Sequence, residues 1–315
     1  MDALRLPSAL EASKNILIAG AGGGFDVYTG LPMYERLRSL GKQVFLANLS
    51  FTSLGGTDAK QLTPALFAVD KNTTGEDLYF PERTLASFLS RRTREYVTVY
   101  ALDRIGVPAV RDGYRYLIRS LHLDAIVLAD GGTDILMRGD EAGLGTPAED
   151  IMSLAAVAGL DVPTRVVTCV GLGIDSFHGI CHANWLENVA GLIQNGGFLG
   201  ALALRNEMPE VQTYIDAVNA ADQATSGRAS IVNGSVVSAL EGRFGDYHRT
   251  SRTKSSRLFI SPLMSILWAF DLITVARRNL YLDRLEQTRN IWDVLSAIES
   301  FRNGVPSRPP ESIPY

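Results

Sequence analysis

The chain has 315 residues, 46% of them hydrophobic and 20% charged, with a formal net charge of −4. That hydrophobic share excludes a disordered chain. The slight acidic excess excludes a global basic field that would draw the protein to nucleic acid or anionic lipid. Two cysteines, Cys169 and Cys181, cannot build a disulfide framework or a four-thiolate zinc site, so a reducing, cytoplasmic setting is expected. Residues 1–14 carry Asp2, Arg5, Glu11 and Lys14 without a basic segment followed by an apolar run, so no signal peptide is expected. The most apolar long window, 258–275, is interrupted by Pro262 and Asp271. It reads as a buried strand, turn and helix, not as a membrane span.

Short apolar runs alternate with helical patterns along the chain. Strands are expected at 15–20, 43–48, 124–129, 164–170 and 198–204, with another at 230–237. Helices are expected at 28–40, closed by Gly41, and at 84–94, 112–121, 182–195 and 209–223. Runs apolar on both faces and spaced by helices predict a doubly wound α/β fold: a mainly parallel sheet covered by helices on both faces. Residues 50–81 read as a long loop beside an active site. No linker marks a boundary, so one domain over 1–315 is expected. Its sheet-forming core would span about 12–262, with C-terminal helices at 263–303 and a loose tail at 304–315.

Gly20-Ala21-Gly22-Gly23-Gly24-Phe25-Asp26 follows the first strand and opens the first helix. At that point of a parallel sheet, backbone amides can hold an anion such as phosphate. The spacing departs from G-x-G-x-x-G, because the third glycine would fall at Phe25. Asn48 replaces the acidic residue that would hold a ribose, and no Gly-Lys-Ser/Thr ending is present. Asp26 repels a phosphate held by the same turn, so it suggests a sugar hydroxyl or a bridging cation beside it. Asn48 is expected to read hydroxyls with it. A plain strand–helix turn capped by Asp26 is the structural alternative.

Asp130-Gly131-Gly132-Thr133-Asp134 ends the third expected strand. Its glycines let Asp130, Asp134 and the Thr133 hydroxyl converge, either on a magnesium ion or as acid and base. A locally satisfied turn is the alternative. Asp140 and Glu141 read as solvated loop charges. The segment from Gly171 to His182 carries Asp175, Ser176, His178, Cys181 and His182. Asp175 with His178 could move a proton near neutral pH. His178 and His182 lack the H-E-x-x-H pattern of a zinc protease, and Cys181 has no distinctive nucleophile context. Arg91, Arg92 and Arg94 read as a solvated helix face. Residues 242–250 read as a mobile loop, and the aromatic block around Trp268 reads as core.

The chain resembles domain-of-unknown-function family 1152. The likeness rests on the stretch from Ala19 to Asp26 with Leu31-Pro32, and on Asp130 to Asp134, 143–150, Gly171 to Asp175 and 260–271. It implies a Rossmann-like fold and brings no activity. Gly20-Ala21-Gly22, followed by Gly30-Leu31-Pro32 and Tyr34, also looks like the first loop of sirtuin-type NAD-binding domains, and His178-Gly179 looks like their catalytic histidine. Their Asp-Phe-Arg and Gln-Asn-x-Asp elements are absent.

The reading that results is an enzyme acting on a nucleotide, nucleoside diphosphate or phosphorylated sugar by hydrolysis or group transfer. Asp130, Asp134, Asp175 and His178 would be catalytic. Gly20, Gly22, Gly23, Gly24, Asp26, Asn48, Gly131, Gly132 and Thr133 would hold the ligand, and Asp130 with Asp134 would hold any metal. The cofactor stays open between magnesium and NAD. The expected partner is a small phosphate-bearing ligand, with no nucleic acid and no membrane, and a homo-oligomer stays open. The rivals are an NAD glycohydrolase or ADP-ribose-transferring enzyme, and a non-catalytic nucleotide sensor or partner-binding module.

Overall fold

A computed structural model describes residue 4 and residues 6–75, 79–225 and 227–313. Asp2, Arg5, part of the 50–81 loop and the last two tail residues lie outside the described residues.

In chain order the elements begin β1 (Asn15–Gly20), α1 (Asp26–Thr29), α2 (Leu31–Ser39), β2 (Gln43–Leu49), β3 (Lys60–Thr63) and β4 (Leu66–Val69). Next come α3 (Pro81–Thr93), β5 (Val99–Leu102), α4 (Val107–Leu121), β6 (Ala125–Gly131), α5 (Ala148–Ala158) and β7 (Thr164–Val170). They are followed by α6 (His182–Gln194), β8 (Phe198–Ala203), α7 (Pro209–Ala224), α8 (Ile231–Leu240), β9 (Gly245–Asp246) and β10 (Phe259–Ile260). The chain closes with β11 (Ile266–Asp271), α9 (Leu272–Arg278) and α10 (Ile291–Arg302).

Nine strands form one sheet in the order β3-β4-β5-β2-β1-β6-β7-β11-β8. The central pairs β5–β2–β1–β6–β7 are parallel. β4 and β11 run against their neighbours. Alternate residues of a strand face opposite sides, and the two cores follow that rule. Leu17, Ile126, Leu128 and Val167 pack under α4, α5, α6, α9 and α10. Ile16, Ile18, Val127 and Val166 pack under α1, α2, α3, α7 and α8. This is the doubly wound, Rossmann-like α/β architecture with helices on both faces. No described helix is long and apolar enough to cross a membrane.

Several elements depart from expectation. The helix expected at 28–40 is two helices, broken at Gly30 where the backbone lies directly on Ile18. Residues 230–237 form the start of α8, not a strand: the Ser230 hydroxyl caps it by accepting from the Asn233 amide. A short β-branched run does not distinguish the two by pattern, and the cap decides. Residues 263–303 are not all helical, since β11 inserts antiparallel between β7 and β8. The loop at 50–81 contains the β3–β4 hairpin, and β5 was not anticipated. Residues 242–250 are partly ordered by the β9–β10 pair.

The tail is held at Arg308. Its amide donates to the Asp140 carbonyl at 2.7 Å, and its guanidinium pairs with Asp140, Glu141 and Glu187. Glu141 is buried, not solvated. It also accepts from the Arg138 and Gly139 amides and from Asn188 Nδ2.

Candidate functional site

The C-terminal ends of β1, β6 and β7 open into a cavity of about 520 Å³. Its floor is acidic. Asp26 opens α1, Asp130 ends β6, Asp150 lies in the first turn of α5, and Asp134 and Asp175 sit on the short turns after β6 and β7. One carboxylate oxygen from each of Asp26, Asp130 and Asp150 lies within 4.8 Å of the others.

Local structure places each of the three. The glycine turn is tied to β6 by Ala21 N donating to the Ala129 carbonyl at 2.9 Å. It is tied to α5 by the Ser153 hydroxyl donating to the Ala21 carbonyl at 2.7 Å. Asp26 accepts from the Gly22 amide at 2.7 Å and from the Gly131 amide. Gly22 is glycine because a Cβ there would lie 2.7 Å from both Asp150 oxygens and from one Asp26 oxygen. Gly131 likewise makes room for Asp26. These two glycines seat carboxylates, and the Gly22 amide expected to hold phosphate is already taken by Asp26.

The five aspartates differ in how they are satisfied. Asp134 accepts from the Thr146 amide at 2.8 Å, and Asp175 from the Thr133 amide at 2.7 Å, so both fix loops. Asp130 has one long contact, 3.4 Å from the Ile135 amide. Asp150 is 4% exposed, and its Oδ1 has no hydrogen-bond partner. Burial pushes all five carboxyls above the usual range, Asp26 to about 7 and the others upward, and repulsion from neighbouring aspartates adds to it at Asp26, Asp130, Asp150 and Asp175. Buried like charges of this kind must be neutralised by protons or by a cation. Carboxylate oxygens are the ligands that hard divalent cations prefer.

The facing wall comes from α8 and the segment between β9 and β10. Asn233 pins α8 to the glycine turn by donating to the Phe25 carbonyl at 3.1 Å, and to α7 by accepting from Tyr214 Oη at 2.8 Å. The segment before β10 is shaped by His248, which reaches Thr253 Oγ1 at 2.9 Å and Asp246 Oδ1 at 3.1 Å. It sets Arg252, Ser255, Ser256 and Arg257 on the cavity. His178 is exposed at the lip, near enough to Asp134 that a positive charge on it would lower that carboxyl.

Of the expected residues, Gly22, Gly23, Gly24, Asp26, Asp130, Gly131, Asp134, Asp175 and His178 line the cavity. Four do not. Gly20 and Gly132 are buried backbone, and Thr133 is buried, holding Asp175. Asn48 is sealed under the glycine turn, donating to the Gly24 carbonyl at 2.8 Å and to Glu82 Oε1 at 2.7 Å, where no ligand hydroxyl reaches it. The three oxygens that can share one ion include Asp130 but exclude Asp134. Asp150, which ends the stretch 143–150 of the family likeness, was not assigned to the site from sequence. Arg252 and Arg257 were not assigned to the site, because nothing in the local pattern shows that their segment folds over a sheet edge far away in sequence.

Behind the site, burial raises the Glu82 carboxyl from 4.5 to about 7. Its Oε2 and the neighbouring Asn48 Oδ1 both lack a donor, which suits a protonated acid. The unfolded chain releases that proton near pH 4.5. Glu82 therefore leaves stability intact below about pH 4.5 and lowers it as pH rises through 7, by up to ~3 kcal/mol. Glu82→Gln mimics the protonated form. Urea unfolding should show the variant gaining on the wild type between pH 5 and pH 8; a constant difference would refute the buried-proton reading.

No curated protein and no solved structure matches the chain. The model of a family described as "Protein of unknown function (DUF1152)" matches residues 57–303. That stretch holds Asp130, Asp134, Asp150, Asp175, His178 and both cavity arginines, whereas the glycine turn and Asp26 lie before it. The match spans most of the chain, so the protein belongs to the DUF1152 family.

Proposed function

We propose that the protein is an enzyme that binds a nucleotide, nucleoside diphosphate or phosphorylated sugar at this sheet edge and catalyses hydrolysis or group transfer with a divalent cation. One observation carries the reading: three converging carboxylates, Asp130 and Asp150 buried and Asp26 half-buried, one with a partnerless oxygen, line one cavity with two arginines. An acidic floor alone would repel phosphate. With Asp26, Asp130 and Asp150 holding Mg²⁺ or Mn²⁺, it attracts phosphate, and such an ion polarises a phosphoryl oxygen or a water. Arg252 and Arg257 suit the remaining phosphate oxygens. His178 at the lip suits proton transfer, while Asp134 and Asp175 position the loops around it. Asp26 already occupies the Gly22 amide, which favours contact through a cation over direct amide contact of the sirtuin type.

The test is release of phosphate or of a leaving group from a panel of nucleotides and sugar phosphates, with and without Mn²⁺. Asp130→Asn should cost at least about 100-fold in turnover, and His178→Ala about 100-fold or more if it is the general acid or base. Turnover unaffected by both substitutions would remove these roles. Tight binding with unchanged ligand would favour the sensor reading.

A further inference from the structure

Beside the acidic floor the cavity has a second kind of wall. Phe51 and Tyr79 pack against Gly23 and Gly24, and both line the cavity. Phe51 is 39% exposed, an unusual place for a phenyl ring on the rim of an acidic site. The wall is braced. The Arg104 guanidinium lies 4.8 Å from the Phe51 ring centre and is itself held by Glu149 at 3.0 Å. Tyr79 meets Phe25 edge-on at 5.3 Å, and its carbonyl accepts from Thr52 Oγ1 at 3.0 Å. The rings are thus pre-positioned, and covering them with a ligand costs little ordering.

Resting on the cation and phosphate reading above, we infer that this aromatic wall is a base-stacking subsite and that the preferred ligand is a nucleoside phosphate, not a sugar phosphate. The three zones match the three parts of that ligand. The carboxylates with their cation take the phosphate bridge, Arg252 and Arg257 take the outer phosphate oxygens, and Phe51 with Tyr79 takes the planar base. A base offers a π-face to a ring and tolerates its neighbours' geometry, which is why such walls bind bases without demanding hydrogen bonds. A sugar ring, rimmed with hydroxyls, gains less from this wall.

Calorimetric titration of the full chain with Mn²⁺ present, using ADP, ribose 5-phosphate and inorganic pyrophosphate as probes, tests the subsite. ADP should bind roughly 5- to 100-fold tighter than ribose 5-phosphate, the range that stacking of one base supplies. Phe51→Ala should remove that margin and leave pyrophosphate unchanged. Phe51→Leu, which keeps bulk without a π-face, guards against a general loss of fold and should lose most of the margin too. Equal binding of ADP and ribose 5-phosphate, equal weakening of all three probes by Phe51→Ala, or no ADP binding at all would overturn the subsite. The underlying reading fails differently: pyrophosphate and ADP would then ignore both Mn²⁺ and Asp130→Asn. ADP affinity lost in Phe51→Ala but indifferent to Mn²⁺ would keep the aromatic wall and discard the cation.

Discussion

Manganese or magnesium added to the metal-free protein will raise its melting temperature, and Asp130→Asn or Asp150→Asn will abolish the rise. The expectation follows from electrostatics at the cavity floor. Five aspartates line one cavity, four of them buried and Asp26 half-buried, and the arginines among its described lining residues, Arg252 and Arg257, come from the segment before β10. A cation bound at a hundred times its dissociation constant adds ~2.7 kcal/mol. In proteins somewhat smaller than this one, each kcal/mol is worth about 2–4 °C. Either asparagine variant removes one of three ligands and also relieves repulsion. Each should therefore melt at or above the wild type without metal and stay flat when metal is added. Differential scanning fluorimetry in chelator, then with each metal in turn, reads both effects. A wild-type curve indifferent to every divalent cation would remove the metal from the site, and the proposed chemistry with it.

Trp185→Ala will be the most damaging single change in the core beneath the site. Trp185 is fully buried, meets Trp268 edge-on at 5.1 Å, and donates through Nε1 to the Thr133 carbonyl at 3.1 Å. Thr133 in turn holds Asp175. Losing the ring should cost ~3–5 kcal/mol, a large part of a typical ~5–15 kcal/mol of total stability. Trp185→Phe keeps most of the packing but strands a buried carbonyl, which should cost ~1–3 kcal/mol. Urea unfolding of the two variants separates packing from the hydrogen bond. Equal losses would mean that the indole N–H, not the ring volume, carries the effect.

The site was only partly legible in the sequence. The glycine turn and the Asp130 motif stood out because each follows a clear apolar strand, and both do line the cavity. Their chemistry read differently in three dimensions. Gly22 looked like a seat for phosphate and is a seat for the carboxylates of Asp26 and Asp150. Asn48 looked like a hydroxyl reader and is a buried strut. Asp150, 20 residues beyond Asp130, closes a stretch that carried the family likeness but no ligand pattern. A ligand set is a property of where helices start relative to strand ends, and spacing along the chain does not encode that.

The sequence by itself determined the doubly wound architecture. β1 and β7 matched their expected bounds to the residue, because central strands buried on both faces announce themselves as unbroken apolar runs between helices. Short or peripheral elements were decided only by tertiary structure. Residues 231–240 became helix because Ser230 caps them and Asn233 docks them on the glycine turn. Residues 266–271 became a strand because an open place between β7 and β8 could satisfy their backbone on both sides. The convergence of Asp26, Asp130 and Asp150 beneath Arg252 and Arg257 was likewise settled by packing. Long-range contacts bring together residues whose local sequences carry no trace of one another.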